Sequence, residues 1–564
     1  MTARGNDNPL IVQSDLTVLV DVGASRYADA RDALARFADL IKSPEHIHTY
    51  RITPLSIWNA CAAGVSVDDI VAALTDFSRF TVPTHVATQV RDFAHRFGRV
   101  RIERDPAAPL GDQLLVFTSD AVLAEELSRG KQLAPLLAER VWPSCFRIRQ
   151  LDRGRLKQAL IKAGFPAEDL AGYTPGDPLQ LSLRSVSRSG HAFALRDYQH
   201  EAVAAFHVAG AERGGSGVIV LPCGAGKTVT AMGVMDAVQS STLILTTSVS
   251  AVRQWIAELL DKTNLAPEQI GEYTVGIKTV RPITVATYQM LTHRAHAGGA
   301  FTHLAVFDQQ NWGLIVYDEV HLLPAPVFQV TAGLQARRRL GLTATLVRED
   351  GREDDVFALI GPKKADVPWK VLERQGWIAT AVCTEVRVPL PEESRMPYAV
   401  ADARQKFRVA SESAAKIPVV RELLAKHDGE PALVIGMYVE QLAAIAHALD
   451  APIITGSTGQ RTRDALYAQF RRGELPVLVV SKVANFAIDL PDAALAIQVS
   501  GTFGSRQEEA QRLGRILRPK AGANQAHFYS IVTADTVEQD FALKRQLFLC
   551  EQGYEYHITD VSPR

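Results

Sequence analysis

The stretch Ile219–Met232, IVLPCGAGKTVTAM, restricts what this chain can fold into more than any other. An apolar run, Val218-Ile219-Val220-Leu221, breaks at Pro222 and Gly224-Ala225-Gly226, then meets Lys227, Thr228 and a helix-forming run. Strand, tight glycine turn and helix in that order make a phosphate-binding loop. Glycines let backbone N–H groups converge on an anion, and the helix N-terminus adds a positive dipole end. Lys227 has the reach for the β- and γ-phosphates, and the Thr228 hydroxyl has the chemistry to ligate Mg2+. The strict G-x-x-x-x-G-K-[ST] pattern fails at one place, where Leu221 stands for the first glycine. The bland alternative is a glycine-rich strand–helix turn with a surface lysine, so the rest of the chain must decide.

A chain of 564 residues is too long for one core, and at ~100–200 residues per domain it should hold three or four. With 61 basic and 62 acidic residues the net charge is −1, so any nucleic-acid surface must be local. The five cysteines (Cys61, Cys145, Cys223, Cys383, Cys550) include no C-x-x-C pair, which argues against a disulfide framework, a zinc ribbon and an iron–sulfur cluster. The opening MTARGNDNPL lacks the apolar core of a signal peptide, and no run of ~18 apolar residues occurs. The expectation is a cytoplasmic protein with no membrane partner, acting as a monomer.

Residues 1–110 read as a small mixed domain. Leu16 to Val20 alternates like a strand. Pro54 opens a helix that Gly64 stops, Ser66 caps a second through Leu74, and Pro83-Thr84 opens a third. Strand-like runs at Arg99–Ile102 and Leu114–Phe117 complete the pattern of a winged helix. His85, Gln89, Arg91, Arg96, Arg99, Arg101 and Arg104 then form either a DNA-contacting face or a solvated face on a protein-binding module. Residues 111–185 alternate short strands and helices, and Thr174-Pro175-Gly176-Asp177-Pro178 has linker chemistry.

From Leu195 strands and helices alternate as in a parallel sheet covered on both faces. Arg196 and Gln199, ahead of the phosphate loop, either hold an adenine edge or cap a helix. Two strands, Thr242–Thr247 and Ile283–Thr287, lead into Arg253-Gln254-Trp255 and Thr287-Tyr288-Gln289. Hydroxyl, Arg and Gln residues at strand C-terminal ends lie at the ligand edge of such a sheet. They suit a sugar–phosphate backbone, with ordinary strand-end capping as the alternative. The buried-strand run Leu314–Tyr317 ends in Asp318-Glu319-Val320-His321. Downstream of a phosphate loop this signal is sharp. Asp318 holds Mg2+ together with Thr228, Glu319 orients and deprotonates the attacking water, and His321 senses the γ-phosphate or the next motif.

GAGKT, DEVH and then Gly341-Leu342-Thr343-Ala344-Thr345 together resemble superfamily-two helicases and translocases, in which Thr343-Ala344-Thr345 would couple hydrolysis to nucleic-acid contact. Arg348-Glu349-Asp350 directly behind resembles the XPB family of DNA repair and transcription helicases, where this triplet contacts DNA and is implicated in strand separation. The resemblance covers about Leu195 to Phe548 with specific motifs and the N-terminal third more loosely. It implies two tandem RecA-like parallel-sheet motor domains, 192–370 and 371–550, preceded by an N-terminal α+β region with a winged helix and followed by a tail, 551–564. It also implies a damage-recognition-like module at 111–185, a DNA-gripping thumb-like insertion near 395–415, and 3′ to 5′ polarity.

In the second motor domain, Gly456-Ser457-Thr458 and Ser481 end strands as candidate DNA contacts, and Asp489 is a candidate for sensing the ribose or the interdomain gap. Asn485-Phe486-Ala487 departs from the glycine and acid common in the wider superfamily. Gln511-Arg512-Leu513-Gly514-Arg515-Ile516-Leu517-Arg518 matches Q-R-x-G-R-x-x-R. Arg515 and Arg518, three apart on a helix, share a face that suits arginine fingers, and Gln511 joins the nucleotide site. The expected activity is an ATP- and Mg2+-dependent 3′–5′ DNA helicase acting in repair, on forked, bubble or tailed duplex, with a nuclease or repair protein as partner. Two rivals stand beside it: a duplex translocase or restriction-type motor that separates no strands, and a non-catalytic DNA-binding adaptor.

Overall fold

The computed structural model describes residues 7–42, 46–108, 113–222, 224–293, 302–307, 309–334, 337–344, 353–367, 372–373, 375–377, 379–481, 493–501, 525–551 and 556–561. Two compact units divide the chain, the first within residues 1–366 and the second carrying Val367–Arg564.

The first unit begins with a four-stranded sheet in the order Leu10–Val12, Thr17–Asp21, Ile47–Arg51, Asp39–Lys42. Three helices follow where the capping signals place them. Thr53 accepts from Ser56 N ahead of Pro54–Ala62, Ser66 accepts from Asp69 N ahead of Val67–Asp76, and Thr84–Arg96 is the third. The hairpin expected as their wing is not one. Val100–Arg104 and Gln113–Thr118 pair antiparallel inside a separate five-stranded sheet, with Glu139–Trp142, Cys145–Arg149 and Ala167–Asp169. The five-stranded sheet thus takes its first strand from Val100, ahead of the break expected at residue 110. The hairpin's apolar residues explain why: Val100, Ile102, Leu114 and Val116 are buried in one cluster with Phe146, Ile148, Leu156 and Leu160. The basic face is also largely neutralised, since Arg91, Arg96, Arg99 and Arg101 pair with Asp68, Asp92, Asp120 and Glu103.

The expected linker is laid against the sheet that follows rather than free. Leu179 N donates to Gln239 O, Arg184 N to Lys262 O and Asp177 N to Asn311 O, at 2.8–3.1 Å. That sheet has seven parallel strands in the order Ile270–Tyr273, Ile283–Thr287, Thr242–Thr246, Leu314–Asp318, Arg338–Thr343, Ser216–Val220, Lys363–Asp366. Strands Ser216–Val220, Thr242–Thr246 and Ile283–Thr287 are buried at every residue, as a sheet covered on both faces requires.

The second unit repeats this plan. Its seven parallel strands run Ile453–Ile454, Val477–Ser481, Ala432–Gly436, Leu495–Gln498, Gln525–Thr533, Thr380–Val388, Tyr556–Asp560. The last strand lies in the segment expected to be a tail: Tyr556–Asp560 is an edge strand parallel to Thr380–Val388. In the region expected to be thumb-like, helices Glu392–Val400 and Ala403–Ser411 come between Thr380–Val388 and helix Lys416–Lys426. Phe407 anchors the second of them, edge-on to Phe541 at 5.1 Å. Arg408 is paired with Glu412 and Glu440, while Arg404 is exposed.

Candidate active site

All phosphate-site residues of the first unit stand at the C-terminal edge of its parallel sheet. Strand Ser216–Val220 feeds the glycine loop, and helix Lys227–Val238 starts immediately after it. Gly226 has φ +78°, and a Cβ there would stand 2.6 Å from Gln199 Nε2, so the position admits only glycine. Leu221 N donates to Thr343 O at 2.9 Å, so the residue in place of the expected glycine still belongs to the sheet ladder. Lys227 and Thr228 form the first turn of the helix, where backbone N–H groups lack intrahelical partners.

Asp318 ends strand Leu314–Asp318, and Glu319 takes a left-handed backbone, φ +52°. That reversal puts Glu319 Oε1 2.5 Å from Lys227 Nζ. Glu319 Oε2 is 3.6 Å from His321 Nδ1, which in turn lies 2.6 Å from Thr343 Oγ1. Asp318 Oδ2 accepts from Trp255 Nε1 at 2.9 Å, and the Asp318 carbonyl accepts from Tyr288 OH at 2.9 Å. Burial first, and then the adjacent Glu319 charge, push the Asp318 carboxyl up to about 6. Among the described residues, the two neighbouring carboxylates stand beside one ammonium, and their oxygens offer hard ligands to a cation.

Several residues expected to contact DNA are buried. Trp255, 2% exposed, and Tyr288, 3% exposed, are buried supports of Asp318. Thr287 is buried as the N-cap of Tyr288–Thr292, and Ser481 is buried at a strand end. Arg253, Gln254 and Gln289 are exposed beside these buried neighbours, as are Gly456 and Ser457, and Thr458 is half-buried. Gln199 does cap: its Oε1 accepts from Arg196 N at 2.9 Å, with Nε2 3.5 Å from Gly226 O, which also sets it against the phosphate loop. Arg196 reaches Tyr198 OH at 3.2 Å. Ala344 and Thr343 are buried at the end of strand Arg338–Thr343. Thr345, Arg348, Glu349, Asp350, Asp489, Gln511, Arg515 and Arg518 lie outside the described residues.

Sequence reasoning missed the charge cluster under this sheet. Asp169, at the end of the five-stranded sheet, accepts from Arg153 at 2.6 Å and Lys157 at 3.1 Å. Burial pushes the Asp169 carboxyl up, but the Arg153 and Lys157 charges outweigh it and hold it well below the usual range. Burial pushes Lys157 down to about 8. Helix Arg153–Lys162 also reaches the motor sheet's helices, with Gln158 Nε2 donating to Asp355 Oδ1 at 2.6 Å. Three charged residues spread over 153–169 are ordinary surface composition in sequence; only burial reveals them as a network.

A phosphate loop and a D-E-x-H strand end in one parallel sheet, together with a second parallel-sheet unit later in the chain, define a nucleoside-triphosphate-driven motor of the superfamily-two kind. Residues 372–563 match the family described as ERCC3/RAD25/XPB C-terminal helicase. Residues 192–348 match the type III restriction enzyme res subunit, and 10–141 a helicase conserved C-terminal domain. The DNA 3′-5′ helicase XPB of Kineococcus radiotolerans is 52% identical over 98% of this chain and 97% of its own length. That of Mycobacterium tuberculosis is 52% identical over 98% of both chains. The general transcription and DNA repair factor IIH helicase/translocase subunit XPB of Enterocytozoon bieneusi is 31% identical over 99% of this chain and 93% of its own. The chain belongs to the XPB helicase family.

Proposed function

We propose that this protein is an ATP-driven 3′–5′ DNA helicase that opens duplex DNA in repair. The observation that carries the reading is the 2.5 Å contact between Lys227 Nζ and Glu319 Oε1, beside the half-buried Asp318. It joins the phosphate-binding cation to a carboxylate placed to activate water. The donor set also fits Mg2+: a hydroxyl from Thr228 and a carboxylate from Asp318 are the hard oxygen ligands that ion takes.

Gly224, Ala225 and Gly226 receive the ATP phosphates on backbone N–H groups, and Lys227 turns from Glu319 toward them. Glu319 is then released to take a proton from the attacking water. When bound at Thr228 and Asp318, Mg2+ supplies charge neutralisation at the phosphates. The Trp255 indole and the Tyr288 hydroxyl keep Asp318 oriented, so the carboxylate needs no rearrangement when the phosphates arrive. His321, between Glu319 and Thr343, relays the state of the site into Thr343-Ala344-Thr345. Gln199 and Arg196 stand for adenine recognition. By family resemblance, Arg515 and Arg518 add transition-state charge from the second unit, with Gln511 and Asp489 at the nucleotide.

Arg253, Gln254, Gln289, Gly456, Ser457 and Thr458 offer donors to a DNA backbone, and Arg348-Glu349-Asp350 serve strand separation. Differential affinity of the two nucleotide states for DNA converts hydrolysis into steps. The cytoplasm is the compartment that suits this activity, and a nuclease or repair protein the partner. The test is ATP-dependent strand displacement on 3′-tailed, 5′-tailed and forked duplexes with DNA-stimulated phosphate release alongside. Displacement from the 3′ tail is expected; phosphate release without displacement on any substrate would make the protein a duplex translocase instead.

A further inference from the structure

The second unit holds a group of side chains that nucleotide chemistry does not use. His427 caps the C-terminus of helix Lys416–Lys426, its N–H donating to Leu423 O and Leu424 O at 3.2 Å. The chain turns at once: Glu430 N donates to His427 O at 3.1 Å, helped by Gly429 at φ +81°. This turn brings Glu430 Oε2 to 3.5 Å from His427 Nδ1. Strand Gln525–Thr533 supplies the other side. The His527 ring lies 4.3 Å from the His427 ring, and Tyr529 OH, on the same strand face, is 2.9 Å from His427 Nε2.

We propose that His427, Glu430 and His527 form a binding site for a divalent transition metal, with zinc the best match. One ligand atom from each lies within 4.8 Å of the other two. A tetrahedral site with bonds of ~2.0–2.1 Å separates neighbouring ligand atoms by about 3.4 Å. The His427–Glu430 pair already has that spacing, and side-chain rotation suffices to close the rest. Two imidazoles and one carboxylate select zinc-like ions over Mg2+ and Ca2+, which take oxygen.

Tyr529 supplies a second, independent sign. A metal-ligating histidine donates its other ring N–H to an outer oxygen, which fixes the tautomer. Tyr529 OH stands at Nε2 of His427, so a proton there leaves the Nδ1 lone pair directed at the Glu430 side. A plain aromatic stack of His427, His527 and Tyr529 would have no use for Glu430. With three protein ligands, the fourth position goes to water. The ion would fasten the turn after helix Lys416–Lys426 to strand Gln525–Thr533, two segments far apart in sequence.

The experiment takes chelator-treated full-length protein in excess Mg2+, titrates it with Zn2+ by calorimetry, and follows Co2+ binding by visible absorption. One ion per chain is expected, with a tetrahedral Co2+ spectrum that Zn2+ displaces and a higher Tm in Zn2+. His527→Gln and Glu430→Gln should each weaken binding at least about tenfold and abolish the Tm shift, while Asp318→Asn leaves both unchanged. Neither His527 nor Glu430 is fully buried, and circular dichroism verifies that the variants fold. Wild-type protein that takes up no Zn2+ overturns the proposal, as does binding that survives both substitutions.

Discussion

The indole N–H of Trp255 donates to Asp318 Oδ2 at 2.9 Å, tying the helix that carries exposed Arg253 and Gln254 to the carboxylate expected to hold the metal. A hydrogen bond to a charged group is worth about 1.5–3 kcal/mol. Trp255→Phe keeps the packing and removes the donor. ATPase kcat should fall about tenfold or more and the Mg2+ requirement should rise, with nucleotide-free DNA affinity unchanged. Phosphate release against Mg2+ concentration, with fluorescence anisotropy for DNA, separates this from a direct DNA contact, which would move the anisotropy instead.

Lys227 and Glu319 touch each other but are proposed to act on different steps. Lys227→Ala should lose nucleotide binding, whereas Glu319→Gln should bind ATP and fail to hydrolyse it. Equilibrium binding of a fluorescent ATP analogue and steady-state turnover test the split. Full turnover in Glu319→Gln would remove it from the role of base.

Arg348→Ala tests the family resemblance rather than the described geometry. ATP turnover should remain within about threefold of wild type, while strand displacement falls by about tenfold, the cost of one lost charged contact. Equal losses in both assays would place Arg348 in the nucleotide cycle.

Asp169 pairs with both Arg153 and Lys157 in a buried cluster. Removing one partner of a buried pair costs about 3–5 kcal/mol, because the remaining charges are left uncompensated. Asp169→Ala should therefore lower Tm of the first unit by several degrees in a thermal scan, with the second unit's transition unmoved. An unchanged scan would show that the cluster contributes nothing to stability.

His48 lies in strand Ile47–Arg51, with its Nδ1 3.0 Å from Tyr27 OH. Burial, helped by the Arg31 charge, pushes its pKa down to about 4. The unfolded chain binds the proton near pH 6.5, so the stability of the neutral form is complete above that pH. It is lost as pH falls from about 6.5 toward 4, by at most about 1.4 kcal/mol per unit. Hydrogen exchange of residues 7–96 should speed up between pH 7 and pH 5 after correction for intrinsic rates. His48→Gln should flatten that difference, and an equal loss in the variant would assign the acid sensitivity elsewhere.

Sequence by itself determined the elements whose signals are local. The phosphate loop needs left-handed glycine and a helix start, both of which neighbouring residues dictate. Asp318-Glu319 at the end of an apolar strand is readable because strand direction fixes which edge the pair occupies. The capping residues Thr53 and Ser66 likewise act within three residues. Tertiary structure decided what depends on partners distant along the chain. The hairpin Val100–Arg104/Gln113–Thr118 reads as a wing until its apolar face meets Phe146 and Leu156. Tyr556–Asp560 reads as a tail until Thr380–Val388 offers a free edge. Trp255 and Tyr288 look like surface contacts because one residue's side carries no information about which neighbours bury it. Burial is a property of the assembled core, and only there does an indole on one strand's helix find a carboxylate on the next.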